Sequence, residues 1–414
     1  MDRKEFFQMD FRKLHVESSQ NFKWFVLIVA TLSQTCASFV IFGMGPMAAF
    51  YQQTFNLSQF ETGMIVSTVN IGPIISMIIF GNMMDKYGEK WVVGLGSILL
   101  GLNTFIAYLI DSYIVLLTNL LFVGIWYGTA QPGGSSAIVK WFPRKHRGLA
   151  MGIRQTGIPV GGALAAISLP FFFYRFGLEA AILLQAFIAT VGGLIFLLIY
   201  KNPGTEIQPE HYTFKEKIIR IKNNSQLYPV LFIGMTMVSV QLIIVAHLMG
   251  YLKKMLGLDL ELAGSLLSLA LIGGTFGRLI LAWISDNIFA GNRSKPLLLT
   301  IWSTVFIILL FLSGMSMPLW GIGLLCFFFG FLGIGWYSLF IVMIAEKSDK
   351  NFIGLTVSFA LTINQFFIVA SPALFGLLVD WTNGYFIPFA ILAVAISAGG
   401  IWLRMTEQKI SEIL

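Results

Sequence analysis

Gly81-Asn82-Met83-Met84-Asp85-Lys86-Tyr87-Gly88-Glu89-Lys90 is the stretch that decides the fold. It is a short charged hinge between two long apolar runs, 60–81 and 91–111. A run of about 20 apolar residues, rising 1.5 Å per residue as a helix, crosses the hydrocarbon of a bilayer. Asp85 stands at the carboxyl end of the first run, where the helix dipole disfavours a carboxylate. It therefore needs a partner: the amino terminus of a helix in another part of the chain, or an arginine of the 140–147 segment. A pair of that kind, made in one state and broken in another, is a gate. The plainer reading is that Asp85 and its basic neighbours only fix topology.

Outward from this hinge the pattern repeats. Twelve apolar runs fall at 24–50, 60–81, 91–111, 113–137, 148–173, 178–200, 227–251, 262–284, 297–314, 319–345, 353–378 and 385–404. An open chain can cross lipid only as helices, because every backbone amide must be satisfied internally. Composition agrees. The 414 residues are 57% hydrophobic and 11% charged, whereas soluble domains run at about 25% charged. An ordinary cytosolic enzyme and a disordered chain are excluded. Cys36 and Cys326 sit in apolar runs of opposite halves, so a disulfide scaffold is excluded too.

The net charge of +7 suggests nucleic acid only until its placement is read. With the amino terminus inside, 22 of the 27 Lys and Arg residues fall in inner segments and 3 in outer loops (Arg175, Lys253, Lys254). That bias is a positive-inside signal and predicts both termini in the cytoplasm. Residues 1–23 form a charged amino-terminal segment: either a mobile tail, or an amphipathic helix on the lipid surface with Phe6, Phe7, Phe11 and Leu14 on its apolar side. The tail after the last run, 405–414, is also expected to be cytoplasmic. Short loops and frequent Lys, Ile and Phe suggest a bacterial inner membrane.

The polar stretch 201–226 divides the runs into a bundle over 24–200 and a bundle over 227–404. Gly63 precedes Asp85 by the same interval that separates Gly264 from Asp286, and Ile71-Gly72 matches Ile272-Gly273. Gly124-Ile125-Trp126-Tyr127 in span four answers Gly333-Ile334-Gly335-Trp336-Tyr337 in span ten. The fold expected is an all-α membrane protein, twelve helices in two pseudo-symmetric six-helix bundles. Substrate sites of such carriers lie between the repeats near the midplane.

These residues also carry a resemblance. The Gly81–Lys90 hinge resembles the signature loop of the major facilitator superfamily, Gly-x-x-x-Asp-Arg-x-Gly-Arg-Arg/Lys. Gly81, Asp85, Gly88 and Lys90 match; Lys86 replaces the Arg and Glu89 a second basic residue. Ala282-Trp283-Ile284-Ser285-Asp286 is similar to its weaker second copy, and Arg147-Gly148 to the loop before span five. The resemblance covers nearly the whole chain. It implies alternating access, with these residues and Asp286 as the inner gate. Span five reads Gly157-Ile158-Pro159-Val160-Gly161-Gly162. This departs from the antiporter motif of drug exporters, whose span-four Arg is also absent, with Asn119 and neutral residues there. Pro159 and the glycines predict a kinked helix packed at the interface between the halves.

Every Asp and Glu falls outside the runs or at their ends, so no mid-membrane carboxylate stands out as a proton relay. The charges inside are Arg154, in span five, and Arg278, in span eight, each roughly 9 Å from the inner end at 1.5 Å per residue. A buried cation needs a partner or a cavity. An anionic substrate meets that need, and the planar guanidinium binds carboxylate bidentately. Arg154 has two alternatives, snorkelling to the surface or joining Asp85 at the gate. Gly273-Gly274-Thr275-Phe276-Gly277-Arg278 is similar to span eight of the oxalate/formate antiporter and monocarboxylate transporter group, which implies that Arg278 binds a carboxylate. The span-eleven Lys of oxalate carriers is replaced by Asn364-Gln365. Gln34, Gln241, Asn364 and Gln365 are expected to orient the ligand between Trp126, Tyr127, Trp336 and Tyr337, or else to bond helix to helix. His247 in span seven is a candidate for a coupling proton.

No metal cluster, cofactor motif, phosphate loop or catalytic constellation stands in the sequence. The reading is a carrier and not an enzyme, monomeric, without a cofactor or a nucleic-acid partner. It is embedded in lipid and moves a small organic anion with a proton or a counter-anion. A proton-coupled exporter of drugs or amphipathic metabolites is the alternative. A non-transporting nutrient sensor on the same fold is the remote one.

Overall fold

The computed structural model describes residues 3–203, 212–313 and 317–413, with side chains over 22–58, 61–203, 212–259, 262–313 and 317–409. The side chains of Phe6, Phe7, Phe11 and Leu14 lie outside these ranges, as does linker segment 204–211. Among the described residues all regular structure is helical. Twelve helices have the length and apolar composition of a membrane span: Phe22–Phe55, Glu61–Tyr87, Glu89–Leu109, Tyr113–Trp141, Arg144–Phe176, Leu178–Ile199, Leu227–Leu256, Leu262–Asn287, Ser294–Leu312, Leu319–Glu346, Ile353–Thr382 and Phe386–Lys409. Large apolar side chains such as Ile114, Ile167 and Leu198 remain exposed on the outside. A soluble monomer rarely exposes apolar surface on that scale; hydrocarbon is its fitting solvent.

The turns follow from local chemistry. Ser58 and Glu61 form a capping box that starts span two. Gly88 at φ 82° ends span two and begins span three, so one residue reverses the chain. A side chain is poorly tolerated at that φ.

The repeat is visible in the packing. Span one packs on five, two on four and three on six; seven packs on eleven, eight on ten and nine on twelve. The first set becomes the second when six is added to each number. Two seams join the halves, span two with eleven and span five with eight. Gly124 abuts the Val69 carbonyl, and Gly330 abuts the Ala270 carbonyl, at matching crossings of the two halves. Spans four and ten are each interrupted. Span four breaks between Tyr127 and Ala130, span ten between Gly333 and Tyr337. The matching Trp-Tyr pairs sit at those breaks.

Two expectations need correction. Residues 201–226 are not simply a loop, because Phe214–Asn223 is a helix started by a Thr213–Glu216 capping box. Its buried positions Lys217 and Ile221 are four apart, one face of a helix. Pro159 lies inside the span-five helix, and Gly157 and Gly161 pack not on the other half but on Thr31, Thr35 and Phe39 of span one in the same half. The span-five glycines at the interface between halves are Gly148 and Gly152, where a side chain would meet Asp286, Arg278 and Ala282.

Candidate functional site

The lower ends of the two seams carry most of the charge. Asp85 accepts hydrogen bonds from the backbone N–H groups of Gly354 (2.9 Å) and Leu355 (2.7 Å), at the start of span eleven. A helix amino terminus suits a carboxylate because its N–H groups lack helical partners and its dipole end is positive. Gly81 lies against Gly354 and Ser358 in the same seam. Asp286 accepts from the N–H groups of Gly148 (3.2 Å) and Leu149 (2.7 Å), near the start of span five. Arg293 pairs with Asp286 and donates to the Arg144 carbonyl (2.7 Å) and to Glu346 (3.4 Å). Arg147 pairs with Glu346 (3.3 Å), rather than with Asp85. Lys86 lies over the Tyr87 ring, and the Lys90 N–H donates to Asn202. These contacts place the hinge residues at a closed end of the bundle, the end rich in Lys and Arg.

Above this end, the two arginines take different positions. Arg154 is fully buried. It donates to Gln34 (2.6 Å), to Ser135 Oγ (3.0 Å), and to the carbonyls of Ala130 (3.0 Å) and Gln131 (2.9 Å) just after the break in span four. It neither snorkels nor reaches Asp85. Gln34 is accordingly an anchor for Arg154, and also donates to Ser38. Arg278 crosses the seam and donates to the Gln155 backbone carbonyl (2.9 Å). Nε of each arginine has no hydrogen-bond partner, and neither has a carboxylate partner among the described residues. Gln131 links Arg154 to Tyr337: its carbonyl accepts from the guanidinium and its amide donates to the Tyr337 hydroxyl.

Tyr337 is the hub between the halves. Its hydroxyl accepts from Gln131 (3.0 Å). Tyr127, Gln131, Tyr337, Arg278 and Gln365 keep 5–8% of their surface, so a narrow space reaches them. Gln365 donates across the other seam to the Asn70 carbonyl (3.3 Å). Asn364 is fully buried, its side-chain amide against the Tyr337 hydroxyl. Trp126 stacks on Phe80 (5.7 Å). Trp336 is sealed against Tyr337 and Phe340, so it backs the hub rather than lining an open wall. Gln241 keeps a buried, unpartnered Oε1 in span seven. His247 bonds the Pro372 carbonyl (2.8 Å) and tilts on Phe375, an interface within one half.

Sequence reasoning missed Gln131, Gln155, Arg293, Glu346 and Glu89. Glu89 is buried against Lys140 (2.5 Å), Ser136 (2.6 Å) and Tyr200 (3.4 Å). A polar amide inside an apolar run was the available signal for the two glutamines. No metal-ligating group of His, Cys, Asp or Glu occurs among the described residues.

Helix count, pairing and the two Asp clamps define a twelve-span carrier fold built on a repeat. The family model of the Major Facilitator Superfamily matches residues 30–372, and the chain belongs to that superfamily. It is 26% identical over 275 residues to Rv2994 of Mycobacterium tuberculosis, an uncharacterized MFS-type transporter. That match covers 66% of this chain and 61% of the relative, less than two thirds of its length. It is 23% identical to the probable sulfoacetate transporter SauU of Cupriavidus necator, covering 86% of each chain. It is also 23% identical to the hexuronate transporter of Bacillus subtilis, covering 82% of this chain and 83% of that one. In structure it is similar to the Escherichia coli fucose:proton symporter FucP, with a TM-score of 0.73 at 15% identity over 90% of this chain and 98% of that one.

Proposed function

We propose that the protein is a secondary active transporter that moves a small organic anion by alternating access, by proton symport or anion exchange. The observation that carries this reading is the pair of buried arginines on either side of one seam. Arg154 is held by neutral groups of the first half, and Arg278 by one neutral carbonyl across the seam. Two desolvated cations without a protein anion are costly. A carboxylate or sulfonate entering beside Tyr337 supplies the missing charge, and a guanidinium binds its paired oxygens. The named substrates of two relatives, hexuronate and sulfoacetate, are anions of this kind. The resemblance of span eight to the oxalate/formate antiporter and monocarboxylate transporter group supports the same role for Arg278.

The clamps supply the moving part. The hydrogen bonds described between the halves run from Gln365–Asn70 and Arg278–Gln155 down to the two aspartate clamps. The protein is therefore closed at its basic end, which the positive-inside rule assigns to the cytoplasm. Release on that side requires Asp85 and Asp286 to let go of spans eleven and five. Binding at Arg278 is placed to weaken one seam, since the same guanidinium holds the Gln155 carbonyl.

Counterflow in proteoliposomes tests the reading, with labelled carboxylates and sulfonates beside cationic dyes. Uptake of an anion, lost by a factor of 100 or more in Arg278→Gln, is expected; removing a charge-assisted pair of bonds at about 1.5–3 kcal/mol each gives that scale. Dye movement unaffected by the substitution would instead establish the exporter.

A further inference from the structure

At one corner of the basic end, rings and lysines from three spans of the first half meet. Phe22 and Trp24 of span one lie against Trp141 (5.2 Å) and Phe142 (5.4 Å) at the end of span four. The Trp141 indole N–H donates to the carbonyl of Lys201 (3.2 Å), just past the end of span six. Two ammonium groups sit on these rings. Lys23 Nζ is 5.9 Å from the centre of the Trp24 ring and 6.0 Å from that of Phe142, and Lys201 Nζ is 5.5 Å from that of Phe22. A ring face attracts a cation but does not neutralise it. Neither lysine has a carboxylate partner among the described residues. The matching corner of the second half, where spans seven, ten and twelve meet, is finished differently. There Lys347, after span ten, pairs with Glu407 of span twelve (3.0 Å), and Phe232 meets Trp402 (5.9 Å). Among the described residues no cation lies over those two rings. One corner completes its charge within the protein, and the other leaves two cations open.

Away from the basic end, the same spans show what kind of molecule fits. Spans one and six pack together, with Gly192 against Cys36. Phe25, Ile28 and Leu32 of span one and Leu194 and Leu198 of span six stay exposed. Their spacings of three and four residues make one apolar stripe on each helix. Two apolar stripes headed by two open lysines match a molecule with a negative head and two long chains. We propose that this corner is a binding site for an anionic phospholipid. Its head group bridges Lys23 and Lys201 over the rings, and its acyl chains lie on the stripes of spans one and six. A choline lipid carries its own cation, which the two lysines repel. A free phosphate ion has the charge but nothing for the stripes. The site belongs wholly to the first half, so the lipid rides with that half while the seams open and close. It is independent of the charge of the transported substrate.

The test titrates the full chain, stripped of lipid in a neutral detergent, with dioleoylphosphatidylglycerol, dioleoylphosphatidylcholine or inorganic phosphate. Native mass spectrometry counts bound lipid, and thermal shift reads affinity. Three double variants accompany the wild type: Lys23→Gln with Lys201→Gln, Lys23→Arg with Lys201→Arg, and Lys295→Gln with Lys350→Gln, two exposed lysines of the second half. The wild type should bind the glycerol lipid about 25-fold tighter than the choline lipid, since each lysine facing an anionic head group contributes about fivefold. The Lys23/Lys201 Gln pair should lose that preference and bind the choline lipid as before. Its lipid-free midpoint should match the wild type, because neither lysine has a protein carboxylate to lose. The Arg pair and the Lys295/Lys350 pair should keep the preference. Equal affinity of the wild type for the two lipids, or a preference unchanged in the Lys23/Lys201 Gln pair, would overturn the site. An equal loss in the Lys295/Lys350 pair would reduce it to diffuse surface charge and overturn it as well. So would a shift with phosphate as large as with the glycerol lipid, or a marked fall in the lipid-free midpoint of the Lys23/Lys201 Gln pair, which would make the lysines structural.

Discussion

The two seams use one device and furnish it differently. In each, an aspartate at the inner end of a span accepts two consecutive backbone N–H groups near the start of a helix in the other half. Around Asp286 this grows into a buried network of Arg293, Glu346 and Arg147 that ties spans five, eight and ten together. Asp85 has no ion pair of its own among the described residues. The nearby Glu89–Lys140 pair stays within the first half. The repeat thus preserves what backbone geometry demands, a carboxylate at a positive helix end. Charge networks need only be locally complete, and they have diverged. The seam of spans five and eight is the more strongly fastened, and it is also the seam that carries Arg278.

The widest gap between the seams is expected on removing the clamp charges. Asp286→Asn takes from the buried Arg293 the nearer of its two carboxylates and leaves Glu346 at 3.4 Å, a loss of about 3 kcal/mol, the low end for a broken buried pair. The purified protein should show it as a large fall in thermal midpoint. Asp85→Asn costs less, about 1.5–3 kcal/mol, since it weakens bonds to neutral N–H groups and strands no cation. Its clearer signature is opening. Ser358, sealed against Gly81, should, when changed to Cys, label faster from the basic end in the Asp85→Asn background. Equal losses for the two aspartates would break the comparison and mean that the Arg293 network adds nothing to the backbone clamp.

Much of this was legible along the chain. Twelve runs and the interval repeated at Gly63–Asp85 and Gly264–Asp286 needed only periodicity and length. The partner of Asp85 was one of two that dipole reasoning allowed. The site was less legible. Arg154 looked like a free cation because its ligands come from span one, Ser135 and carbonyls exposed by a break in span four. No local rule predicts that break or brings those groups together. Gln155 and Gln131 carried the same signal as Gln34, a polar amide in an apolar run, and were passed over. Glu89, Arg293 and Glu346 lie at span ends, where charge ordinarily reads as solvated surface; packing within the first half buries Glu89, and packing of the halves covers Arg293 and most of Glu346. Trp126 and Trp336 share a sequence place but differ in exposure, so matching position does not guarantee matching use.

The smallest effect expected concerns the linker helix, Phe214–Asn223, which touches both halves at the closed end. Lys217 Nζ donates to Asn82 of span two (3.1 Å), beside the Asp85 clamp. On the other side Tyr212 meets Phe352 edge-on, and Asn224 donates to the Lys347 carbonyl (3.0 Å). The chain runs on from the helix directly into span seven of the second half. When the basic end opens, the Lys217–Asn82 bond is therefore the one that must break. Lys217→Ala should cost about 1.5 kcal/mol, the low end for a hydrogen bond from a charged group. It should raise labelling at Ser358→Cys less than Asp85→Asn does, and leave a cysteine placed at Ala282, in the Asp286 seam, unchanged. Equal acceleration at both sites would mean that the linker holds the halves as a whole, and the independence of the two seams would fall with it.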